Sequence, residues 1–315
     1  MIYVKMIGRL GNQLFYYAVA RAIQIKNPQY GEIAIIPDDR VYDGWGGVQL
    51  VDFNVNVKQI VNKPSLSLSQ VLLEKSFKVF RKTMSLFNDK FFEAITCAWQ
   101  PKLNLSGIYC ATGSCNMELL YNTKQKNIYI SGVWENPYYF NEIRGLLLNE
   151  IRPNKPIMDH NRKLYNFIQS TTSVCISIRK GDFLKAGNEK FNICTEKYYY
   201  KATSILREKI GNYSLIVFSD DIEWCRQNLS FDMDVSYENN SGMDPVWEKI
   251  RLMSACKHFI LSNSSFSWWA QYLGQFRDKV VIAPRPWRKN EYCDCLYDER
   301  FILLDGQTGD PVDKE

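Results

Sequence analysis

The fold class this sequence predicts is α/β with two doubly wound domains, and three observations predict it. The chain opens with a strand pattern, Ile2 to Met6, followed by a glycine-bearing turn, Gly8 to Gln13. Leu14, Phe15, Ala18, Val19, Ala22 and Ile23 then recur at helical spacing. Strand and helix patterns alternate through the second half of the chain, as parallel sheets with crossover helices require. Near the end, a strand pattern at His258–Leu261 runs into a cluster of hydroxyl and amide residues, Ser262 to Ser267. A helical pattern follows, with Phe266, Trp269, Ala270 and Leu273 on one face.

Taken in order, Ile33 to Ile36 is a second short strand. Ser65 to Lys90 is a basic amphipathic helix, in which Lys75, Lys78, Arg81 and Lys82 accompany Leu72, Leu73, Phe77, Phe80, Met84 and Phe87. Ile128 to Ser131 is another strand. Arg152-Pro153-Asn154-Lys155-Pro156 reads as a linker, because two prolines interrupt a helical pattern. The expected domains are therefore 1–155 and 156–315. In the second, strands are expected at Val174–Ile178, Ser214–Phe218, His258–Leu261 and Lys279–Ala283. Helices are expected near Glu196–Lys209, Asp221–Asn228, Val246–Ala255 and Ser265–Gln275.

Composition narrows the function. The 315 residues are 46% hydrophobic, enough for substantial cores and too much for disorder. A net charge of +5 is too weak to imply nucleic acid, yet it suits anionic substrates or an anionic lipid surface. Nine cysteines, an odd number without a C-x-x-C pair, point to a reducing cytosol rather than a disulfide framework. Cys293-Asp294-Cys295 lacks a matching second pair for a metal. Only two histidines, His160 and His258, argue against a histidine-based triad or metal site. The N-terminus carries no signal-peptide pattern, and no apolar run approaches the ~18 residues of a membrane span. A cytoplasmic location is expected.

Five places could carry chemistry. Asn263 or Ser264 would cap the helix after Leu261, and the first-turn N–H groups with nearby hydroxyls suit a diphosphate; an ordinary capped helix fits the segment as well. Ser177-Ile178-Arg179-Lys180-Gly181-Asp182 ends a strand, where ligands of open α/β sheets bind, and its cations suit a phosphate. A solvated basic turn with an Asp182 salt bridge is the alternative. In Gly8 to Gln13, glycines permit close backbone approach and Asn12 and Gln13 stand at a helix entrance, but the dinucleotide spacing is missing. Asp220 and Asp221 also end a strand and either bind a ligand or, for Asp221, cap the next helix. Asp232-Met233-Asp234 could hold a divalent ion, although strand alternation produces the same spacing.

These blocks occur in one order, and in that order they resemble the inverting α-1,2-fucosyltransferases of bacterial type, glycosyltransferase family 11. The family's opening G-G-L-G-N-Q-x-F-x-Y-A is similar to Ile7 through Ala18. Its H-x-R-R-G-D-Y is similar to Ser177 through Phe183. Its G-Y-W-Q-x-x-x-Y-F is similar to Gly132 through Phe140. Its L-M-S-x-C-K-H and S-N-S-T-F-S-W-W are similar to Leu252 through His258 and Ser262 through Trp269.

The resemblance implies a GT-B-like fold: two facing Rossmann-like domains with a cleft between them. Acceptor would sit on the N-terminal side and donor on the C-terminal side. It implies GDP-fucose as donor, a glycan hydroxyl such as the 2-OH of a galactoside as acceptor, inversion, and no metal or other cofactor. Arg179 matches the arginine expected on the leaving phosphate, and Asn12 the asparagine facing the cleft. Asp182 is positioned either as a base or as a brace for Arg179. Lys180, Gly11, Gln13, Asp220, Asp221, Glu248 and the run Asn263, Ser264, Ser265, Phe266, Ser267 fall on the donor side. Trp134 and Glu135 fall on the acceptor side. Two departures stand out. The family histidine is Ser177 and its second arginine is Lys180, while Lys249 replaces a frequent acid, with Glu248 beside it. Rival readings are a metal-dependent transferase using Asp232 and Asp234, and a catalytically silent glycan- or nucleotide-binding protein. The basic helix Ser65–Lys90 would place the protein peripherally on the inner face of the cell membrane, near an acceptor carried on lipid; packing on its own domain is the alternative.

Overall fold

The computed structural model describes residues 1–44, 46–84, 98–112, 125–181, 191–239, 243–288 and 294–313. The chain divides into two compact units, Met1–Ile151 and Arg152–Glu315. The sequence places this division a few residues later. Glu150 explains the difference: Arg21 binds it through Nη2 at 2.7 Å and Tyr17 donates its hydroxyl to it. The chain is thus tied to the first helix almost to the end of unit 1.

Unit 1 is built on a five-stranded sheet, every pairing parallel, in the order β3-β2-β1-β5-β4. Its strands are β1 (Ile2–Met6), β2 (Ile33–Pro37), β3 (Gln59–Ile60), β4 (Ile108–Thr112) and β5 (Ile128–Val133). Helix α1 (Leu10–Lys26) is rich in alanine and apolar residues and is buried along most of its length. It ends at Asn27, before a proline that cannot continue it. A short helix α2 (Asp39–Gly44) follows β2, and α3 (Leu68–Met84) takes the place of the predicted Ser65–Lys90 helix. Residues 85–90 of that expectation lie outside the described residues.

Unit 2 is built on a six-stranded sheet, again parallel at every pairing, in the order β11-β10-β9-β6-β7-β8. Here β6 is Ser173–Ile178, β7 Ser214–Ser219, β8 Val235–Tyr237, β9 His258–Ile260, β10 Val281–Arg285 and β11 Ile302–Asp305. After α4 (Arg144–Glu150) in unit 1, the helices of unit 2 are α5 (Arg162–Ser170), α6 (Glu196–Ile210), α7 (Ile222–Asn228), α8 (Val246–Ala255) and α9 (Ser265–Leu273). Every residue of β6 is buried, as expected of a central parallel strand covered on both faces. Val174, Ile176 and Ile178 pack with Tyr198, Ala202 and Leu206 of α6 in one core. Ile176→Ala would remove a fully buried side chain at a cost of about 2–5 kcal/mol.

In each sheet the strand order reverses beside one strand, between β1 and β5 in unit 1 and between β6 and β9 in unit 2. Such switch points open a crevice at the carboxyl ends of the strands. Both glycine- or arginine-bearing turns singled out in the sequence leave the sheet there.

Candidate active site

In unit 1 a cavity of about 320 Å³ lies at the carboxyl ends of the strands, lined by residues following β1, β2 and β5 and by parts of α1 and α3. Asn12, Trp134 and Glu135 line it together, as do Lys5, Tyr16, Asp38, Arg40, Phe77, Lys78 and Cys110. Gly8 shapes its entrance turn. Its φ is +87°, and a Cβ there would stand 2.6 Å from Asn12 Nδ2, so the glycine lets Asn12 fold close over the backbone. Gln13 clamps the same turn. Its Nε2 donates to Gly8 O and Gly47 O, each at 3.0 Å, and its Oε1 accepts from Gln49 N at 2.8 Å. Gln49 in turn caps α1, its Oε1 accepting from Leu10 N at 2.7 Å.

The cavity's charge is arranged around Asp38. Arg40 Nε donates to its Oδ1 at 2.8 Å, and Lys5 Nζ stands 3.4 Å from Oδ2. Arg40 chiefly, with Lys5 assisting and burial opposing, holds the Asp38 carboxyl down at about 2. Trp134 is buried and donates its indole N–H to Ser131 O at 2.8 Å, so it forms the cavity's floor rather than an exposed stacking face.

In unit 2, Arg179 leaves the end of β6. Its Nε lies 3.3 Å from Asp220 Oδ2, just beyond β7. The other Asp220 oxygen accepts from Lys180 N at 2.9 Å and Gly181 N at 3.1 Å. One carboxylate therefore fixes the turn and pairs with the guanidinium that the turn carries. The approach is close: a Cβ on Gly181 would meet Asp220 Oδ2 at 2.9 Å. Ser177, near the end of the same strand β6, shares a hydrogen bond of 3.1 Å with Ser262, just beyond β9. That bond joins the Arg179 turn to the segment leading into α9. Ser264, Ser265 and Phe266 are half-buried at the start of α9, where first-turn N–H groups lack partners within the helix. The arrangement provides one oriented arginine and one helix N-terminus on neighbouring strand ends, which is a set of groups for an anion.

Residues 1–302 match the pattern of Glycosyl transferase family 11. The chain belongs to that family. Its relatives include an α-1,2-colitosyltransferase of Escherichia coli, 28% identical over 301 residues, covering 92% of this chain and 93% of the relative. They also include the O-antigen biosynthesis glycosyltransferase WbnK of Escherichia coli, 24% identical over 299 residues, with coverages of 91% and 94%. Galactoside α-(1,2)-fucosyltransferase 1 of Saimiri sciureus matches over 115 residues at 27% identity, 36% of this chain and 31% of that protein. Among solved structures, fucosyltransferase NodZ from Bradyrhizobium is similar with a TM-score of 0.50 at 12% identity, over 86% of this chain and 91% of that one. The fold of this glycosyltransferase is GT-B-like, with two Rossmann-like α/β domains.

Several family-11 signature positions are occupied differently from what the sequence suggests. Lys180, expected as a second cation beside Arg179, is engaged by protein groups. It is buried, its Nζ 3.0 Å from Glu196 Oε1 and 4.8 Å from the centre of the Trp224 ring. Burial pushes the Glu196 carboxyl up, but its own backbone N–H and Lys180 outweigh that and hold it below its ordinary value. Glu248 is fully buried. Its Oε1 accepts from Met158 N at 2.9 Å, and its Oε2 lies 3.0 Å from Arg251 Nε, so it ties α8 to the start of unit 2. Lys249 instead meets buried Glu238 at 3.3 Å. Asn263 donates to Phe191 O at 2.9 Å, and the Ser267 hydroxyl turns inward onto Ser262 O at 2.8 Å. Ser264 is the N-cap residue of α9 by backbone geometry, without a capping hydrogen bond from its side chain. Asp221 caps α7, accepting from Trp224 N at 2.9 Å. Gly11 is buried within the first turn of α1. Asp182 lies outside the described residues.

Asp232 and Asp234 are both exposed, with Asp232 Oδ2 3.5 Å from Arg207 Nη1. Among the described residues no three His, Cys, Asp or Glu side chains gather to hold a metal. No helix among them is long and apolar enough to cross a membrane. Sequence reasoning missed Lys5, Asp38 and Arg40 in the cavity. The signal was present, since Asp38-Asp39-Arg40 directly follows a strand pattern.

Proposed function

We propose that this protein transfers L-fucose from GDP-fucose to a hydroxyl of a glycan acceptor, the 2-hydroxyl of a galactoside, with inversion at the anomeric carbon and without a divalent metal. The observation that carries this reading is Arg179, held by Asp220 at a switch-point strand end beside the N-terminus of α9. As the acceptor hydroxyl attacks, positive charge grows on the fucosyl ring and negative charge on the departing diphosphate. Asp220 pairs with the Arg179 guanidinium at the strand end, and that guanidinium would meet the β-phosphate. The first turn of α9, with Ser265 and Phe266, supplies backbone N–H groups to the same charge. Lys180 contributes less, because Glu196 already balances it.

The acceptor side of the reading is the unit 1 cavity, where Asn12 and Glu135 would meet acceptor hydroxyls over the Trp134 floor. It extends to a glycan carried on a lipid, with the protein held peripherally at the inner face of the cell membrane. Supporting it is the relatives' chemistry: a galactoside α-(1,2)-fucosyltransferase and an O-antigen biosynthesis glycosyltransferase. A second donor is favoured by the relative that is an α-1,2-colitosyltransferase. The test is a donor screen, GDP-fucose against a colitosyl donor, over a panel of galactosides with product mass read by mass spectrometry. Fucosyl product formed at an unchanged rate in a chelator is the expected outcome. Transfer that stops in chelator and returns with Mg²⁺ or Mn²⁺ would overturn the metal-free reading.

A further inference from the structure

Helix α3 is apolar on two opposite faces. One face is inside: Gln70 and Phe77 are buried, and Phe77 with Lys78 walls the unit 1 cavity. The other face is outside. Leu68 is 76% exposed, Leu72 57% and Val79 67%, with exposed Lys75 among them. At 3.6 residues per turn these four fall within an arc of about 60°, turned away from Phe77. A single buried stripe is what packing on the domain requires; among the described residues the outer stripe is left exposed. Nearby, Phe80 of α3 lies against Trp99, ring centres 6.1 Å apart, and Trp99 is 44% exposed with Lys102 Nζ 5.5 Å from its ring centre. Phe80 lies between the two faces of α3, so the indole and Lys102 stand beside the outer stripe rather than on it.

The charge of the chain is concentrated in the same stretch. Residues 63–105 hold seven lysines and arginines against three acids, which is +4 of the protein's net +5. Outside it the chain is nearly neutral. A partner for this surface must accept apolar side chains and be negatively charged over a broad area.

We propose that the outer face of α3 docks on an anionic lipid bilayer. Leu68, Leu72 and Val79 enter the headgroup boundary, and Lys75 among them meets lipid phosphates. Because α3 also walls the cavity, docking brings the proposed acceptor site to the surface on which a lipid-carried glycan is found. Docking rests on the proposed reaction only for this purpose, since vesicle binding is read without donor or acceptor.

The experiment is co-sedimentation of the full chain with phosphatidylcholine vesicles, with and without phosphatidylglycerol, at low salt. The expected result is binding to the anionic vesicles alone, reversed by high salt. Lys75→Glu should weaken it roughly tenfold or more, since each charge near the surface matters. Leu72→Ser with Val79→Ser should weaken it as much, while the fold by circular dichroism and the rate with a soluble acceptor stay unchanged. Equal recovery in the supernatant with both vesicle types would overturn the proposal. So would binding that the Leu72→Ser, Val79→Ser variant retains, or a concentration-dependent dimer lost in that variant without vesicle binding, which would assign the face to a second copy.

Discussion

The two sheets of this glycosyltransferase finish their strand ends in opposite ways. In unit 1 the carboxyl ends of the strands surround a cavity of about 320 Å³ whose charged groups, Lys5, Asp38 and Arg40, lie on its wall. In unit 2 much of the polar side-chain material at the strand ends is bound to other protein groups: Asp220 to the Arg179 turn, Glu238 to Ser219 N and Lys249, Lys180 to Glu196. A hollow accommodates a ligand of variable shape, whereas a filled network holds a few groups in fixed positions. On the proposed reaction, the hollow would seat the glycan and the fixed groups the diphosphate. The contrast also means that substitutions of the paired groups of unit 2, Lys180 and Lys249 among them, act first through stability.

The largest effect expected from breaking this contrast is at Lys249. Its partner Glu238 is buried and accepts from Ser219 N at 2.8 Å. Burial raises the Glu238 carboxyl above its ordinary value, and Lys249 is the main influence pulling it back. Lys249→Met leaves that charge uncompensated and should cost about 3–5 kcal/mol of stability. The sign with pH is specific. A carboxyl raised in the folded state destabilises at high pH and is harmless once protonated, so the deficit should shrink as pH falls toward the raised value. Thermal melts across pH test it, and Glu238→Gln added to Lys249→Met should restore most of the loss. A single variant that melts like the parent at every pH would show the network to be slack.

Next in size is the separation of two adjacent cations. Arg179→Ala should leave the fold intact and reduce turnover by a factor corresponding to about 2.7–4 kcal/mol, the scale for losing one oriented donor to developing charge. Lys180→Met should do the reverse, lowering the melting temperature by removing a buried partner of Glu196 and Trp224 while changing turnover far less. Steady-state rates and melts on the same two proteins decide it. Equal losses of turnover would place both cations on the phosphate and undo the distinction.

That distinction shows where sequence reading reaches and where it stops. Strands such as Val174–Ile178 were legible because apolar runs and their flanking turns are local signals, and α8 falls at the predicted Val246–Ala255. The pairs Arg179–Lys180 and Glu248–Lys249 look alike in sequence, yet in each pair the two side chains go to different partners. Lys180 finds Glu196, and Lys249 finds Glu238, through contacts between elements that no local spacing encodes. Likewise Gln13 and Ser267 stand at plausible ligand positions but are held by backbone carbonyls. Edge strands β3 and β8 were missed because they are only two and three residues long, whereas edge strands β4 and β11 carry apolar runs, Ile108 to Ala111 and Ile302 to Leu304, that were passed over.

The smallest effect sharpens the open side of the comparison. Asp38 lies on the cavity wall with its carboxyl held at about 2 by Arg40 and Lys5. A carboxyl depressed in the folded state stabilises above its unfolded value of 3.8 and loses that contribution as pH falls through the window from there to about 2. Arg40 is largely exposed, so solvent screening limits the benefit, and Asp38→Asn should cost about 1 kcal/mol at neutral pH. The variant should differ from the parent above pH 4 and converge with it below, a pattern that urea titrations at several pH values will reveal. Releasing Arg40 and Lys5 from their carboxylate should also make the cavity more positive, raising the acceptor KM for neutral galactosides with little change in kcat. A fall in kcat at unchanged KM would mean that Asp38 acts on the reacting atoms, and the cavity would then be part of the catalytic machinery rather than a seat for the acceptor.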